Sequence, residues 1–64
     1  KLIRALEKLG FFLRRQTGSH AIFRHPETNH IAIVPIHARD IKRGLLFSIL
    51  KQANISIETL RKML

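Results

Sequence analysis

The sequence contains no cysteine, tryptophan or tyrosine, and only four of its 64 residues are acidic. Without cysteine, the chain forms neither a disulfide nor a thiolate metal site. No stretch approaches the apolar length of a membrane-spanning helix, and no signal-peptide pattern is present, so we expect a cytoplasmic protein that does not insert into membranes. A chain of this length has room for a single domain, residues 1–64, with a simple core.

Positive charge is what the sequence has in excess. Twelve Lys and Arg residues against four Asp and Glu give a formal net charge of +8, and the sequence pI is about 11.6. This excess is larger than solubility requires and favours a polyanionic partner, because phosphates neutralised by Lys and Arg release condensed counterions. An anionic membrane surface would attract the same charge but is the weaker alternative. The sequence therefore predicts binding to nucleic acid.

The first half of the sequence predicts one helix followed by three strands. Apolar residues recur at the spacing of a helix face over Leu2–Leu9, and Gly10 is expected to end this helix in the left-handed conformation. Thr17 and Gly18 are expected to form a two-residue hairpin connection between the first two strands. The three β-prone runs cover residues 11–16, 19–25 and 31–36.

The second half of the sequence predicts two helices. Apolar residues at helical spacing extend from Leu46 to Ala53, and Asn54 is expected to end that helix. Ser56 is expected to cap a last helix over residues 57–64, with Glu58 in its first turn, where the helix dipole favours an anion. Pro35 cannot donate to a ladder, so the third strand is expected to end there or to lie on an edge.

This order of elements, α-β-β-β-α with a short C-terminal helix, predicts an α+β fold. Both longer helices have one apolar stripe, and a three-stranded antiparallel sheet can bury both stripes on one face while the other face stays open. Double-stranded RNA-binding domains have the same order, and this likeness is an analogy of topology and not of function.

Histidines are the side chains best suited to acid–base chemistry near neutral pH, and the chain has four of them: His20, His25, His30 and His37. The four carboxylates are too scattered to form a catalytic pair. For any one histidine, a surface or hydrogen-bonding role is the default interpretation. His25 is expected to begin a turn and His30 to open a strand. We expect no metal site from His25, His30 and His37, since no carboxylate completes it.

Strand periodicity separates His20 from the predicted core. If Phe23 packs inward, alternation places His20 and Arg24 together on the opposite, open face. The third strand alternates two apolar sets, and the buried set is expected to be Ala32, Val34 and Ile36. With that set inside, His37 would emerge on the side of His20.

The four phenylalanines are more suited to a core than to stacking on bases. Phe12 is the exception, because neighbouring residues of a strand point to opposite faces and Phe11 is expected inside. Phe11, Phe23 and Phe47 are therefore expected to be buried.

A neutral imidazole on a basic surface can deprotonate the 2′-hydroxyl of RNA, which then attacks the adjacent phosphorus and leaves a cyclic phosphate. Nearby Arg and Lys would stabilise the negative charge of the transition state. This chemistry requires no metal or other cofactor, and DNA would not be a substrate because it lacks the hydroxyl.

Five short motifs follow one another along the chain. They are Leu9-Gly10-Phe11, Arg15-Gln16-Thr17-Gly18-Ser19-His20, Phe23-Arg24-His25-Pro26, Val34-Pro35-Ile36-His37 and Ser48-Ile49-Leu50-Lys51-Gln52-Ala53. As an ordered series they resemble the HicA toxins over nearly the whole chain. The resemblance implies an mRNA interferase of a type II toxin–antitoxin system, with a fold like that of double-stranded RNA-binding domains. It implies that His20, in the Gly-x-His segment, is catalytic.

The same resemblance implies a HicB antitoxin that covers the active face, in the cytoplasm of a bacterium or archaeon. Our leading hypothesis is a metal-independent endoribonuclease with His20 as general base or acid and His37 as a candidate second acid or base. Ser19 and Gly18 are expected to shape the turn at His20, and Arg14, Arg15, Arg24 or Lys42 to bind phosphates. The full set of residues expected to bind RNA is Arg14, Arg15, Ser19, Arg24, Lys42 and Arg43.

Two alternatives stay open at this point. The first is a non-catalytic RNA-binding module of the same fold, which explains the charge without requiring His20. The second is a DNA-binding regulator with the helix from Arg43 to Ala53 in a major groove. That helix offers mainly Lys51 and Gln52 to base edges, so direct readout would be weak.

Overall fold

The computed structural model describes residues 2–37 and 40–64, and these residues form three helices and one three-stranded antiparallel sheet. The elements are α1 (Leu2–Lys8), β1 (Phe12–Thr17), β2 (His20–Arg24), β3 (Ile31–Pro35), α2 (Arg43–Ala53) and α3 (Ile57–Met63). The strands lie in the order β1-β2-β3. Within the described ranges, no helix has the length and apolarity needed to cross a membrane. The predicted α+β class, with the element order of a double-stranded RNA-binding domain and a short last helix, is confirmed.

The end of α1 is a Schellman motif centred on Gly10. Gly10 has a φ of +97°, and its N–H donates to the carbonyl of Glu7 at 3.0 Å. The N–H of Phe11 donates to the carbonyl of Leu6 at 2.9 Å. These two bonds satisfy carbonyl groups that a helix end leaves without partners. The prediction that Gly10 ends the first helix is confirmed.

The boundary between α2 and α3 also agrees with the prediction from the sequence. Asn54 has a φ of +58°, and its N–H donates to the carbonyl of Lys51 at 3.2 Å, which ends α2. Ser56 caps α3, because its hydroxyl oxygen accepts the N–H of Thr59 at 3.1 Å. Glu58 lies in the first turn of α3. Both predicted caps are confirmed.

Gly18 and Ser19 form the turn between β1 and β2. Gly18 has a φ of +55°, at the first central position, where a type II′ hairpin turn requires a positive φ. The predicted connection was Thr17 and Gly18. Thr17 instead ends β1 and pairs with His20, so the turn lies one residue later than predicted.

A bulge interrupts β1 at Arg14. Leu13 pairs with Phe23 and Arg15 pairs with Ile22, so Arg14 is an extra residue on β1. A bulge of this kind shifts the alternation of side chains beyond it by one residue. Arg15 therefore lies on the sheet face of Ile22.

The main core lies between the sheet and the helices α1 and α2. It is one cluster of buried side chains: Leu6, Phe11, Ala21, Phe23, Ala32, Val34, Ile49 and Ala53. A second cluster joins the three helices through Ala5, Leu50 and Leu60. The predicted burial of Phe23 and of the set Ala32 and Val34, with Ile36 packed at the edge of the core, is confirmed. Among residues 2–37 and 40–64, no helix packs across the opposite face of the sheet, which we call the open face.

The phenylalanines divide between core and surface. Phe11 and Phe23 are buried as predicted, and Phe12, the predicted exception, is 66% exposed. Phe47 is 49% exposed, so the prediction that it belongs to the core is wrong. The reason is that α1 and α3 cover α2 around Leu50 and do not extend over Phe47.

Candidate active site

His20 is the first residue of the central strand, and its side chain is exposed. It lies opposite Thr17 in β1 and opposite Pro35 in β3. Ala21, the next residue, is buried against the helices, and successive side chains of a strand point to opposite faces. His20 therefore projects from the open face of the sheet, as the strand periodicity predicts.

A pocket of about 240 Å³ lies beside His20, where α2 meets the edge strand β3. Its α2 residues fall at the i, i+3, i+4 and i+7 spacing of one helix face, so a single stripe of α2 faces it. We call this cavity the His20 pocket. It is lined by His20, Ile33, Pro35, Leu45, Ser48, Ile49 and Gln52. The imidazole thus stands at a concave site that can hold one substrate group.

Two uncharged polar side chains of α2 line the His20 pocket. The hydroxyl of Ser48 donates to the carbonyl of Gly44 at 3.1 Å, which leaves its oxygen as an acceptor for a ligand. Gln52, one turn further along, is exposed and offers a donor and an acceptor. Sequence reasoning included Ser48 and Gln52 in the Ser48–Ala53 motif and considered Gln52 for DNA contacts, but it assigned neither residue to a site beside His20. The spacing of residues 45, 48 and 52, next to the buried stripe of α2, is the signal that could have found this site.

Two arginines share the open face with His20. Arg15 is exposed and lies opposite Ile22, two residues along β2 from His20. Arg24 ends β2 on the same face, about 13 Å from His20 at the usual rise per residue. Its guanidinium donates to the side-chain oxygen of Asn29. Arg15 is therefore nearer to the imidazole, and Arg24 lies toward the far end of the face.

The other predicted RNA-binding residues do not line the His20 pocket. Arg14, at the bulge, lines a second hollow with Phe12 and Arg24. Lys42 occupies the N-cap position of α2 and Arg43 its first helical position, and both are exposed. Ser19 is exposed in the turn that leads directly into His20.

Two of the other histidines, His25 and His30, make contacts that belong to the fold. The ring of His25 packs edge-on against Phe11, with centroids 5.3 Å apart. Its Nδ1 accepts the N–H of Glu27 at 3.2 Å, which fixes the turn after β2. His30 directly precedes β3, and its carbonyl accepts the N–H of His25 at 3.0 Å. The predicted role of His25 at a turn is confirmed, and His30 lies one residue before the strand that it was predicted to open.

His37 is exposed and follows β3. The residue before it, Ile36, donates its N–H to the carbonyl of Ser19 at 2.7 Å. His20 directly follows Ser19 and His37 directly follows Ile36. The hydrogen bond between Ser19 and Ile36 therefore brings the backbone at His20 close to the backbone at His37. The predicted shared side of His20 and His37 stays a prediction.

A family model described as HicA toxin of bacterial toxin–antitoxin matches residues 1–55 of the 64-residue chain. The chain belongs to the HicA toxin family. The match includes every residue that lines the His20 pocket. A comparison with individually curated proteins gave no match. Membership in the HicA family assigns the chain to the toxins of toxin–antitoxin systems and implies an antitoxin partner.

The open face and the His20 pocket of this HicA protein together offer imidazole, guanidinium, hydroxyl and amide groups. An imidazole can transfer a proton, and guanidinium groups can stabilise a developing anion. Among residues 2–37 and 40–64, no three His, Asp or Glu side chains are grouped so that they could hold a metal ion. The imidazole and the guanidinium groups suit acid–base chemistry on an anionic substrate.

Proposed function

We propose that this HicA toxin is an endoribonuclease that cleaves mRNA without a metal ion, with His20 as its catalytic residue. The observation that carries the proposal is the position of His20, which is exposed beside a pocket on the same sheet face as Arg15 and Arg24. A surface with this charge attracts an RNA backbone through its phosphates. The likeness of the Gly18-Ser19-His20 segment to the Gly-x-His segment of the family supports the same residue.

In the proposed reaction, His20 accepts the proton of a ribose 2′-hydroxyl. The 2′-oxygen forms a bond to the adjacent phosphorus, and the bond between phosphorus and the 5′-oxygen of the next nucleotide breaks. The leaving 5′-oxygen takes up one proton. The products are an RNA that ends in a 2′,3′-cyclic phosphate and an RNA that begins with a 5′-hydroxyl. Arg15, the nearer arginine of the open face, stabilises the added negative charge on the phosphorus oxygens.

His37 is the proposed source of the proton for the leaving oxygen. The hydrogen bond between Ile36 and Ser19 supports this role, because it holds the backbones that carry His37 and His20 next to each other. An acid on one side of the phosphorus and a base on the other is the arrangement that this displacement needs.

The antitoxin partner of this chain is proposed to be of the HicB type and to cover the open face, in the cytoplasm of its bacterial host. Apolar side chains around the His20 pocket support this location, since Ile33 is 37% exposed and Leu45 is 45% exposed. Apolar residues at the centre and charged residues at the rim are typical of protein interfaces. Covering this face would block RNA and His20 together.

The proposal is tested with end-labelled RNA in the presence of a chelator, using the wild-type protein, His20→Ala and the control His30→Ala. We expect the wild type and His30→Ala to cleave and His20→Ala to lose at least about 100-fold in rate, the lower end for general acid–base catalysis. DNA of the same sequence should stay intact. Cleavage by His20→Ala at the wild-type rate, or a strict need for a divalent ion, would contradict the proposal. Binding without cleavage by any variant would identify a non-catalytic RNA-binding module.

A further inference from the structure

We infer that the His20 pocket binds one unpaired nucleobase and that Gln52 determines which base is preferred at the cleavage site. This inference rests on the proposed ribonuclease function and deepens it, because it assigns a substrate subsite and a specificity-determining residue.

The size of the pocket fits one flat group. Its volume is about 240 Å³. Pockets for drug-sized ligands have volumes of about 300–1,000 Å³, so this one is too small for a larger ligand and suits a single ring system. Ile33, Pro35 and Leu45 supply apolar walls. Such walls favour contact with the face of a base, which is the least hydrated part of a nucleotide.

The uncharged lining of the pocket favours a base over a phosphate as its occupant. The protein has a formal net charge of +8. Yet within the described part of the chain, the residues that line the pocket include neither Lys nor Arg. Phosphates are bound chiefly by cationic side chains, and here Arg15 and Arg24 lie outside the pocket on the open face. The open face is thus suited to the backbone of RNA, and the pocket to its uncharged part.

The polar groups of the pocket are those that recognise base edges. The amide of Gln52 can donate and accept at once, and amide side chains form paired hydrogen bonds with bases. The hydroxyl of Ser48 is already a donor to Gly44, so it presents an acceptor to an N–H group of the base. Only unpaired bases expose these edges fully, which agrees with sequence-specific RNA recognition in single-stranded regions.

The position of the pocket links base recognition to the reaction. His20 lines the pocket and must also reach the 2′-hydroxyl. In a nucleotide, the base and the 2′-hydroxyl are attached to neighbouring carbons of one ribose. A base held between β3 and α2 would therefore carry a 2′-hydroxyl to the imidazole. Gln52 thereby selects the nucleotide at which the chain is cut.

A binding experiment tests the pocket without relying on cleavage. The wild-type protein is titrated with each of the four nucleoside 3′-monophosphates. NMR shifts are followed for the Gln52 amide, for the Ile33 and Leu45 methyl groups and for the arginine side chains. We expect these signals to shift together and to differ among the four bases, and Gln52→Ala to reduce the difference. Shifts confined to arginine signals would overturn the inference, as would the absence of any shift, which is expected if only an antitoxin side chain fills the pocket.

A cleavage experiment tests the role of Gln52 in specificity. RNA with randomised positions is digested and the product ends are sequenced, with Gln52→Ala and the matched control Gln16→Ala. Gln16 is also exposed, but it lies opposite Ala21 and so on the other face of the sheet. We expect Gln52→Ala to reduce the preference at one position by about 5-fold or more, the contribution of one good side chain–base contact. Gln16→Ala should keep the preference.

The outcomes separate the two proposals. Cleavage by the wild type with no base preference, or with a preference that Gln52→Ala leaves unchanged, would overturn the assignment of Gln52 while the ribonuclease function stands. A wild type that binds nucleotides in the pocket but never cleaves RNA would overturn the ribonuclease function and keep the base site.

Discussion

Phe12 lies directly opposite Arg24 in the β1–β2 ladder, and both belong to the open face of the sheet. Phe12 is 66% exposed, and the guanidinium of Arg24 is held by the side chain of Asn29. An exposed aromatic ring next to an arginine is a surface on which an unpaired base can stack. This pair is at the far end of the face from His20, so an RNA strand that reaches both sites would cross the whole face.

Replacing Phe12 by alanine should weaken RNA binding. One stacked base is worth about 1–3 kcal/mol, so we expect the dissociation constant to rise by about 5-fold or more. The matched control is Phe47→Ala, because Phe47 is also exposed, at 49%, but lies on α2. Binding is measured by fluorescence anisotropy with labelled RNA, in a His20→Ala background that prevents cleavage. An equal effect of the two substitutions would argue against a stacking role for Phe12.

Replacing Arg15 by glutamine should reduce the salt dependence of RNA binding. Each phosphate neutralised on a single strand contributes about 0.7 to the slope of log K against log salt concentration, so we expect a decrease of about that size. Arg61→Gln is the control, since Arg61 is exposed in the last turn of α3 and not on the sheet. Affinities are compared over a series of salt concentrations. An unchanged slope for Arg15→Gln would show that Arg15 makes no phosphate contact.

A change of the leaving group in the RNA substrate distinguishes the proposed acid role of His37 from a structural role. His37→Ala should slow the cleavage of ordinary RNA, because the leaving 5′-oxygen must be protonated. A substrate with sulfur in place of that bridging oxygen has a leaving group that needs no proton. We therefore expect the sulfur substrate to restore the rate of His37→Ala and not that of His20→Ala. If His37→Ala is equally slow on both substrates, His37 is not the acid.

Two glycine substitutions should change stability in opposite directions. At Gly10, the φ of +97° disfavours alanine, and a new Cβ would lie 2.8 Å from Nε2 of His25. We expect Gly10→Ala to lower the free energy of unfolding by about 1–3 kcal/mol. At Gly44, which is helical, a new Cβ would meet nothing within 4 Å. Gly44→Ala should therefore raise the free energy of unfolding by up to about 1 kcal/mol. Urea unfolding followed by circular dichroism measures both, and a stable Gly10→Ala protein would contradict the argument.

The parts of the fold that the sequence predicted correctly are those governed by local patterns. Gly10, Asn54 and Ser56 mark helix ends because each supplies a backbone conformation or a hydrogen bond that few other residues supply as well. The alternation in β2 placed His20 and Arg24 on the open face because that strand has no irregularity.

The errors arose where contacts between elements decide the outcome. The bulge at Arg14 shifts the alternation of side chains in β1. No residue type near Arg14 indicates a bulge. Phe47 belongs to a helix with more apolar residues than its neighbours can cover, so its exposure depends on where α1 and α3 pack. The His20 pocket was not predicted because it needs the side of α2 to meet the edge of β3, a relationship between segments distant in sequence.

Ile49 is 3% exposed within the main core and also lines the His20 pocket. The wall of the pocket is therefore shared with the interior that keeps the domain folded. Within the described residues, the recognition wall and the folded core therefore meet in a single side chain. Variants selected for a new RNA sequence through Ile49 would lose stability as they changed preference, whereas exposed Gln52 could change at little cost to folding. Under the proposed base recognition, natural divergence of cleavage preference should concentrate at Gln52 and spare Ile49.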